Sequence, residues 1–195
     1  MTGAGSTRDH LIESTQELLW ERGYAATSPR AILDRAGAGQ GSMYHHFRGK
    51  EDLAAAAMAA TAQQLLARAE AALTGEGSAF ERLAGYLLRQ REVLRGCPVG
   101  RMTGDADVLE SAVLRRLVAT TFDSLRAHVD AVVRAGVRDG EFDSAVDPAE
   151  LADTVLAVVQ GGYVLARAAG DPAPFDRAVR GAVAMLDHLR RKDTV

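Results

Sequence analysis

The feature that most restricts this chain is its hydrophobic period: apolar residues recur at three- and four-residue intervals over nearly its whole length. No β-branched run bounded by turn signals stands out. "RDGEF" at 138–142, the nearest thing to a hairpin turn, follows a helical pattern and reads as a helix end. Such a chain folds as packed helices. Leu11, Thr15, Leu18 and Leu19 mark a first helix, ended by Gly23. "TSPRAILDRAG" then offers Thr27 or Ser28 as N-cap, Pro29 in the first turn and Gly37 as the stop, a helix of roughly two turns. After a three-residue turn, "QGSMYHHF" forms another short one.

From Lys50 to about Leu73 the chain is Ala-rich and helical, and "TGEGS" terminates it. Phe80, Leu83, Leu87 and Leu88 give a helix face up to Gly96, and "CPVGRMTGDAD" is the least regular part. From about Val108 the series Leu114, Leu117, Val118, Thr121, Phe122, Leu125, Val129, Val132 and Val133 keeps helical spacing to near Gly140. Asp147-Pro148 and Asp171-Pro172 each join a capping acid to a proline at the first helical position, and each launches a helix. The first, 148–168, is apolar nearly all round and must be covered on every side, by its own bundle or by a second subunit. The glycines at 161 and 162 permit close backbone contact there. The second, 172–190, carries Phe175, Val179, Val183, Leu186 and Leu189. The expected fold is all-α with about nine helices: three short ones in residues 1–50, then a larger bundle in 51–195.

The net charge of -3 argues against a protein that coats nucleic acid indiscriminately. It conceals an asymmetry, because residues 1–50 carry six Arg/Lys against five Asp/Glu and the rest carries 17 against 21. That excess is too small to establish a nucleic-acid partner by itself. Cys97 is the single cysteine, which excludes an internal disulfide and a multi-Cys zinc site. "MTGAGSTRDHL" has no apolar core of a signal sequence, and no run of about 18 apolar residues appears. The expected location is the cytoplasm, with no membrane partner.

The stretch "GAGQGSMYHHFRGK", residues 37–50, admits three chemistries. A dinucleotide-binding loop needs a strand before its glycines, whereas a helix precedes these, and they lack the third glycine at the fingerprint's offset. A metal site fails because His45 and His46 are adjacent and point about 100° apart on a helix, with His10, His128 and His188 in separate helices. No cofactor is expected. The third reading is a helix-turn-helix, two short helices joined by a tight glycine-containing turn, the second entering the major groove by its N-terminal end. Gln40 and Ser42 would then reach base edges, and Gly41 would let the backbone approach. Tyr44 and His45, one turn on, lie where phosphate oxygens would be. Lys50 opposes the dipole of the helix it starts unless an external anion completes the site; a solvated lysine balanced by Glu51 and Asp52 is the plain alternative.

The run "TSPRAILDRAGAGQGSMYHHFRGKEDL", preceded by "LLWERGY", resembles the DNA-binding domain of the TetR family of bacterial transcriptional regulators. The resemblance implies phosphate contact by Ser28 and base contact by Arg30. It places Gln40, Gly41, Ser42, Tyr44, His45 and His46 on the recognition helix and Lys50 on its phosphate-binding successor. Gly39 stands where the family has a Ser or Thr cap, Leu33 where it has alanine, and Leu19 where it has an aromatic. The remaining three-quarters, with "RGCPVG" and "DPAELADTVLAVVQGGYVLARAAGDPAPFDRAV", is similar to the regulatory domain of the LmrA/YxaF-like branch. That likeness implies a homodimer paired through its last two helices, with a small-molecule pocket among the middle ones. The implied function is a ligand-responsive repressor that binds a pseudo-palindromic operator in double-stranded DNA as a dimer.

Leu87, Met102, Phe122, Leu125 and Tyr163 are candidate lining for that pocket, with Cys97 near its edge; plain core is the competing reading of each. The sparse polar groups imply an apolar or aromatic effector. Two rival functions remain, a helical protein-interaction adaptor and an enzyme with Cys97 as nucleophile. The second lacks a histidine in the segment around Cys97.

Overall fold

The computed structural model describes residues 6–191; the opening of "MTGAGSTRDHL" lies outside them. Among the described residues there are nine α-helices: α1 Thr7–Arg22, α2 Pro29–Ala36, α3 Gln40–His46, α4 Lys50–Leu73, α5 Ala79–Leu88, α6 Ala106–Glu110, α7 Ala112–Arg138, α8 Pro148–Ala169 and α9 Ala173–His188. A 3₁₀ turn occupies Gly100–Gly104, and an isolated antiparallel bridge joins Phe142 to Arg190. The chain forms two compact units, the first running to Gln64 and including Pro98–Thr121, the second made of Leu65–Cys97 and the chain from Phe122 on. This division differs from a single cut after Lys50, because segment 98–121 is tied to the first unit by long-range bonds that no local pattern announces.

In the first unit the local signals act as read. The Ser28 hydroxyl accepts the Ala31 N–H at 3.2 Å and so caps α2, while Thr27, the other candidate, is buried and donates to the Gly23 carbonyl at 2.6 Å. Gly37 ends α2 in the left-handed conformation, φ +61°, where a side chain would be strained. Leu11, Leu18, Ile32, Leu33, Met43, Phe47 and Leu53 form one core that holds α1, α2, α3 and the start of α4 together. Segment 98–121 is tied to the rest of this unit by long-range bonds, among them Ser111 Oγ donating to Glu51 Oε1 at 3.3 Å. Arg101 Nη1 donates to the Trp20 carbonyl at 2.6 Å, near the end of α1, and Asp105 Oδ2 accepts the Ala25 N–H at 2.8 Å.

In the second unit the core runs from Ala69 and Leu73 through Leu83, Tyr86 and Leu87 to Leu125, Val129, Val133, Phe142 and the facing sides of α8 and α9. The N-terminus of α5 is fully satisfied. Ser78 and Glu81 form a capping box, and the Glu141 carboxylate accepts the N–H groups of Ala79 at 2.7 Å and Phe80 at 3.0 Å. Three expectations are corrected here. Helix α5 stops at Leu88 rather than near Gly96, Leu88 is 51% exposed, and Tyr86 takes the core position. The long helix is interrupted at Ser111, whose hydroxyl accepts the Leu114 N–H at 3.2 Å and begins α7 afresh. Asp147 caps α8 through the N–H groups of Ala149 and Glu150, as its Asp-Pro step implies, whereas α9 starts one residue late, with Asp171 Oδ1 accepting from Ala173 N–H.

Candidate functional site

The face carried by α3 is fixed from beneath by two residues. Met43 is fully buried and Phe47 nearly so, and both belong to the first unit's core. Their burial turns the rest of the helix outward: Gln40, Gly41, Tyr44, His45 and His46 are exposed, with Ser42 half-exposed. Nothing lies within 4 Å of a side chain built on Gly41, so its smallness is not needed for packing in the protein. Gly39, in place of the Ser or Thr cap, supplies no side-chain bond to the start of α3. The Ser42 N–H donates to the Gly39 carbonyl at 2.9 Å, which leaves the N–H groups before it for an outside acceptor. Helix α3 itself contains no acidic residue.

Around it, Ser28 and Arg30 sit at the start of α2. The Arg30 side chain is 91% exposed, its nearest acid being Asp34 at 3.8 Å, a surface pair too weak to hold it. Lys50 opens α4, and its Nζ lies 4.0 Å from the centroid of the Tyr24 ring. Sequence reasoning missed Tyr24 in this role; the signal was only the "ERGY" that closes α1. Burial, ahead of the charges of Glu51, Asp107 and Asp105, raises the Tyr24 hydroxyl pKa. The rings of His45 and His46 meet edge to face at 4.9 Å between centroids, and no cluster of metal-ligating side chains occurs among the described residues.

The candidate effector residues divide. Leu87 and Leu125 lie in the second unit's core, with Phe122 and Tyr163 packed against it, and Cys97 belongs to the same unit and is buried. Met102 does not join them: it belongs to the first unit, where it lines a pocket with Gln16, Trp20, Met58 and Leu117. Tyr163 stacks on Phe175, centroids 4.8 Å apart, and burial pushes its hydroxyl up to about 12. Two groups that the pattern of apolar residues could not reveal stand beside this ring pair, the guanidinium groups of Arg89 and Arg91.

Helices α8 and α9 pack on each other within the chain, and the face they leave outward is apolar. Val164 is 67% exposed, Met185 67% and Leu165 56%. A groove of about 350 Å³ between the two helices is lined by Leu151, Val155, Val158, Met185 and Leu189 among others. The close approach at the glycine pair is resolved residue by residue: Gly162 is buried against Phe175 of the same chain, while Gly161 is exposed. By length and composition α8 is also apolar enough to cross a membrane, the one such helix among the described residues, although Ala152, Val155, Leu156, Val159 and Ala166 are buried within its own unit.

Comparison with known proteins accounts for both units. Residues 11–57 match the profile "Bacterial regulatory proteins, tetR family", and residues 77–182 match "Tetracyclin repressor-like, C-terminal domain". The chain is 29% identical over 144 residues to the HTH-type transcriptional repressor KstR2 of Mycolicibacterium smegmatis, an alignment covering 73% of this chain and 70% of that one. It is 24% identical over 182 residues to the HTH-type transcriptional regulator YxaF of Bacillus subtilis, covering 90% and 92%. The crystal structure of a TetR transcriptional regulator from Chloroflexus aurantiacus superimposes with a TM-score of 0.84 at 26% identity, over 95% of this chain and 96% of the other. Proteins of this kind are ligand-responsive transcriptional regulators rather than enzymes, and they bind DNA operators and dimerise. This chain, with its helix-turn-helix and its larger helical unit, belongs to the TetR family of bacterial transcriptional regulators.

Proposed function

We propose that the protein is a cytoplasmic repressor in which residues 1–50 bind DNA and residues 51–195 bind an effector and dimerise. The observation that carries this reading is the outward face of α3, where Gln40, Gly41, Tyr44, His45 and His46 are exposed over the buried Met43 and Phe47. Arg30 and Gln40 read bases, and Ser42 reaches the same groove. Ser28, Tyr44, His45, His46 and Lys50 hold phosphates. Two such helices in a homodimer engage successive major grooves about 34 Å apart on a pseudo-palindromic operator. The dimer forms through 148–168 and 172–190; a second copy covers Val164, Leu165 and Met185, whose exposure would be costly on a lone chain.

The effector is a small molecule with an apolar or aromatic body, held beside Leu87, Cys97, Phe122, Leu125 and Tyr163. Its binding and operator binding oppose each other by a reciprocal coupling, typically about 1–3 kcal/mol. Selection of DNA from a random pool by the purified protein tests the reading. Enrichment of an inverted repeat supports it; a pool that stays random, or a protein that remains monomeric, overturns it.

A further inference from the structure

Where α5 ends, the chain places two arginines side by side without an acid. Arg91 is partly explained by the helix it follows: its Nη1 donates to the Leu87 and Arg89 carbonyls, each at 2.8 Å, and its Nη2 to the Tyr86 carbonyl, so it caps the open end of α5. Its Nε is buried and meets no acceptor. Arg89 is not explained at all, since its Nε and Nη1 are both buried and both unmet. Neither arginine takes part in an ion pair among the described residues. What surrounds them is aromatic: Arg89 Cζ lies 4.9 Å from the Tyr86 centroid, and Arg91 Cζ lies 5.5 Å from both the Tyr86 and Phe175 centroids.

Buried cations are ordinarily paired, and a buried donor left unmet costs its full desolvation. Ring faces soften that cost but do not supply an acceptor for an N–H. Desolvation first, and then the neighbouring Arg89, lowers the Arg91 pKa, and the other groups acting on it are Tyr163, Tyr86 and Cys97, none of them a carboxylate. Three unmet nitrogens on two planar guanidinium groups offer N–H donors to the lone pairs of one oxyanion. Both arginines lie past the last residue of α5, on an irregular connection, where the backbone rearranges at less cost than in a helix.

We propose that Arg89 and Arg91 form an anion subsite in the effector site, taking the carboxylate or phosphate of a molecule whose aromatic or apolar body lies against Tyr86, Tyr163 and Phe175. The inference rests on the reading of this unit as an effector-binding domain and adds the charge of the effector, an amphipathic acid rather than a neutral hydrophobe.

The test measures thermal protection of the full-length protein by 4-phenylbutyrate and by phenyl phosphate, each against its neutral counterpart, 4-phenylbutyramide and phenol, with inorganic phosphate as the anion alone. The acids should raise the wild-type Tm by at least about 2 °C more than the neutral molecules do. Arg89→Gln should abolish that difference, and because Arg89 makes no hydrogen bond through its buried atoms, this variant keeps the cap that Arg91 gives α5. Protection by phenyl phosphate and inorganic phosphate alone assigns the subsite to phosphate, and protection by 4-phenylbutyrate assigns it to carboxylate. Equal protection by acids and neutral molecules, or protection that survives in Arg89→Gln, overturns the proposal. Operator selection, run in parallel on wild type, separates the two readings: DNA selection without acid-specific protection leaves a regulator with a neutral effector, and the reverse leaves an anion site in a protein that is no repressor.

Discussion

The ring of Phe175 lies so close to the backbone of Gly162 that a Cβ built on the glycine would stand 2.9 Å from Phe175 Cδ2. The ring cannot swing freely, since it is buried between α8 and α9 and stacked on Tyr163. Gly162→Ala should therefore destabilise the protein: overpacking costs about 1–3 kcal/mol, of which the gain in helix propensity returns at most about 1. Gly161→Ala, one residue earlier with nothing within 4 Å, should gain that propensity without the clash. Urea unfolding of both variants at one protomer concentration checks this, and equal stabilities would show that Phe175 does not resist displacement.

Glu141 makes a different kind of long-range bond. Its carboxylate accepts the first two N–H groups of α5, from Ala79 and Phe80, across 62 and 61 residues of chain. Removing it by Glu141→Ala leaves two partly buried donors at the positive end of a helix, a loss of about 2–3 kcal/mol. Glu141→Gln keeps one acceptor oxygen but no charge, and should lose roughly half as much. If the two variants unfold at the same denaturant concentration, charge has no part in this cap.

How much of this was legible in the sequence depends on how far apart the partners lie. Ser28, Pro29 and Gly37 act within short stretches of chain, so the helix-turn-helix could be read from spacing, whereas the burial of Met43 and Phe47 that fixes the inward face of α3 was not read from it. The end of α5 could not. Leu88 and Tyr86 both fit an apolar stripe, and it is packing against the rest of the second unit that takes Tyr86 in and leaves Leu88 out. Neither Glu141 over α5 nor Arg101 on Trp20 has a local signature. The arginine pair has no local signal either, because the rings beside it come from α5, α8 and α9, and Met102 falls in the other unit from the residues it resembles because hydrophobicity carries no address.

On the DNA face, Gln40 and Lys50 should fail in different ways. Gln40→Ala removes a side chain aimed at base edges and should cost about 1–3 kcal/mol on the selected operator, while relaxing the preference at one position per half-site. Lys50→Ala should weaken all sequences alike. It should also reduce the slope of log affinity against log salt by about 0.9 per protomer, the share of one phosphate contact. Anisotropy titrations of labelled operator across a salt series separate the two; an unchanged slope for Lys50→Ala would confine the lysine to its contact with Tyr24.

The apolar face of α8 and α9 makes the next test. Val164→Asp combined with Met185→Asp places charges on two side chains that are each 67% exposed, so the protomer's own core is untouched. Helix content should be retained while sedimentation shows the dimer dissociating, and operator affinity should fall by more than about tenfold as the two half-sites lose their linkage. A double variant that still sediments as a dimer would place the interface elsewhere.

Tyr163 gives the protein a stability limit in alkali, with a sign fixed by the direction of its shift. Burial holds its hydroxyl protonated up to about 12, against an ordinary value of 10.0. Between those two values the unfolded chain has released the proton and the folded protein has not, so the folded state binds more protons and stability falls as pH rises. The contribution is whole below pH 10 and declines by at most about 1.4 kcal/mol per pH unit until the folded hydroxyl ionises near 12. Tyr24 and Tyr86 are shifted the same way by burial and add to the slope. Tyr163→Phe keeps the ring on Phe175 and removes the titrating group, so its midpoint should fall less steeply with pH over that window. Parallel slopes for wild type and Tyr163→Phe between pH 10 and 12 would mean that the Tyr163 hydroxyl ionises in the folded protein as readily as in water.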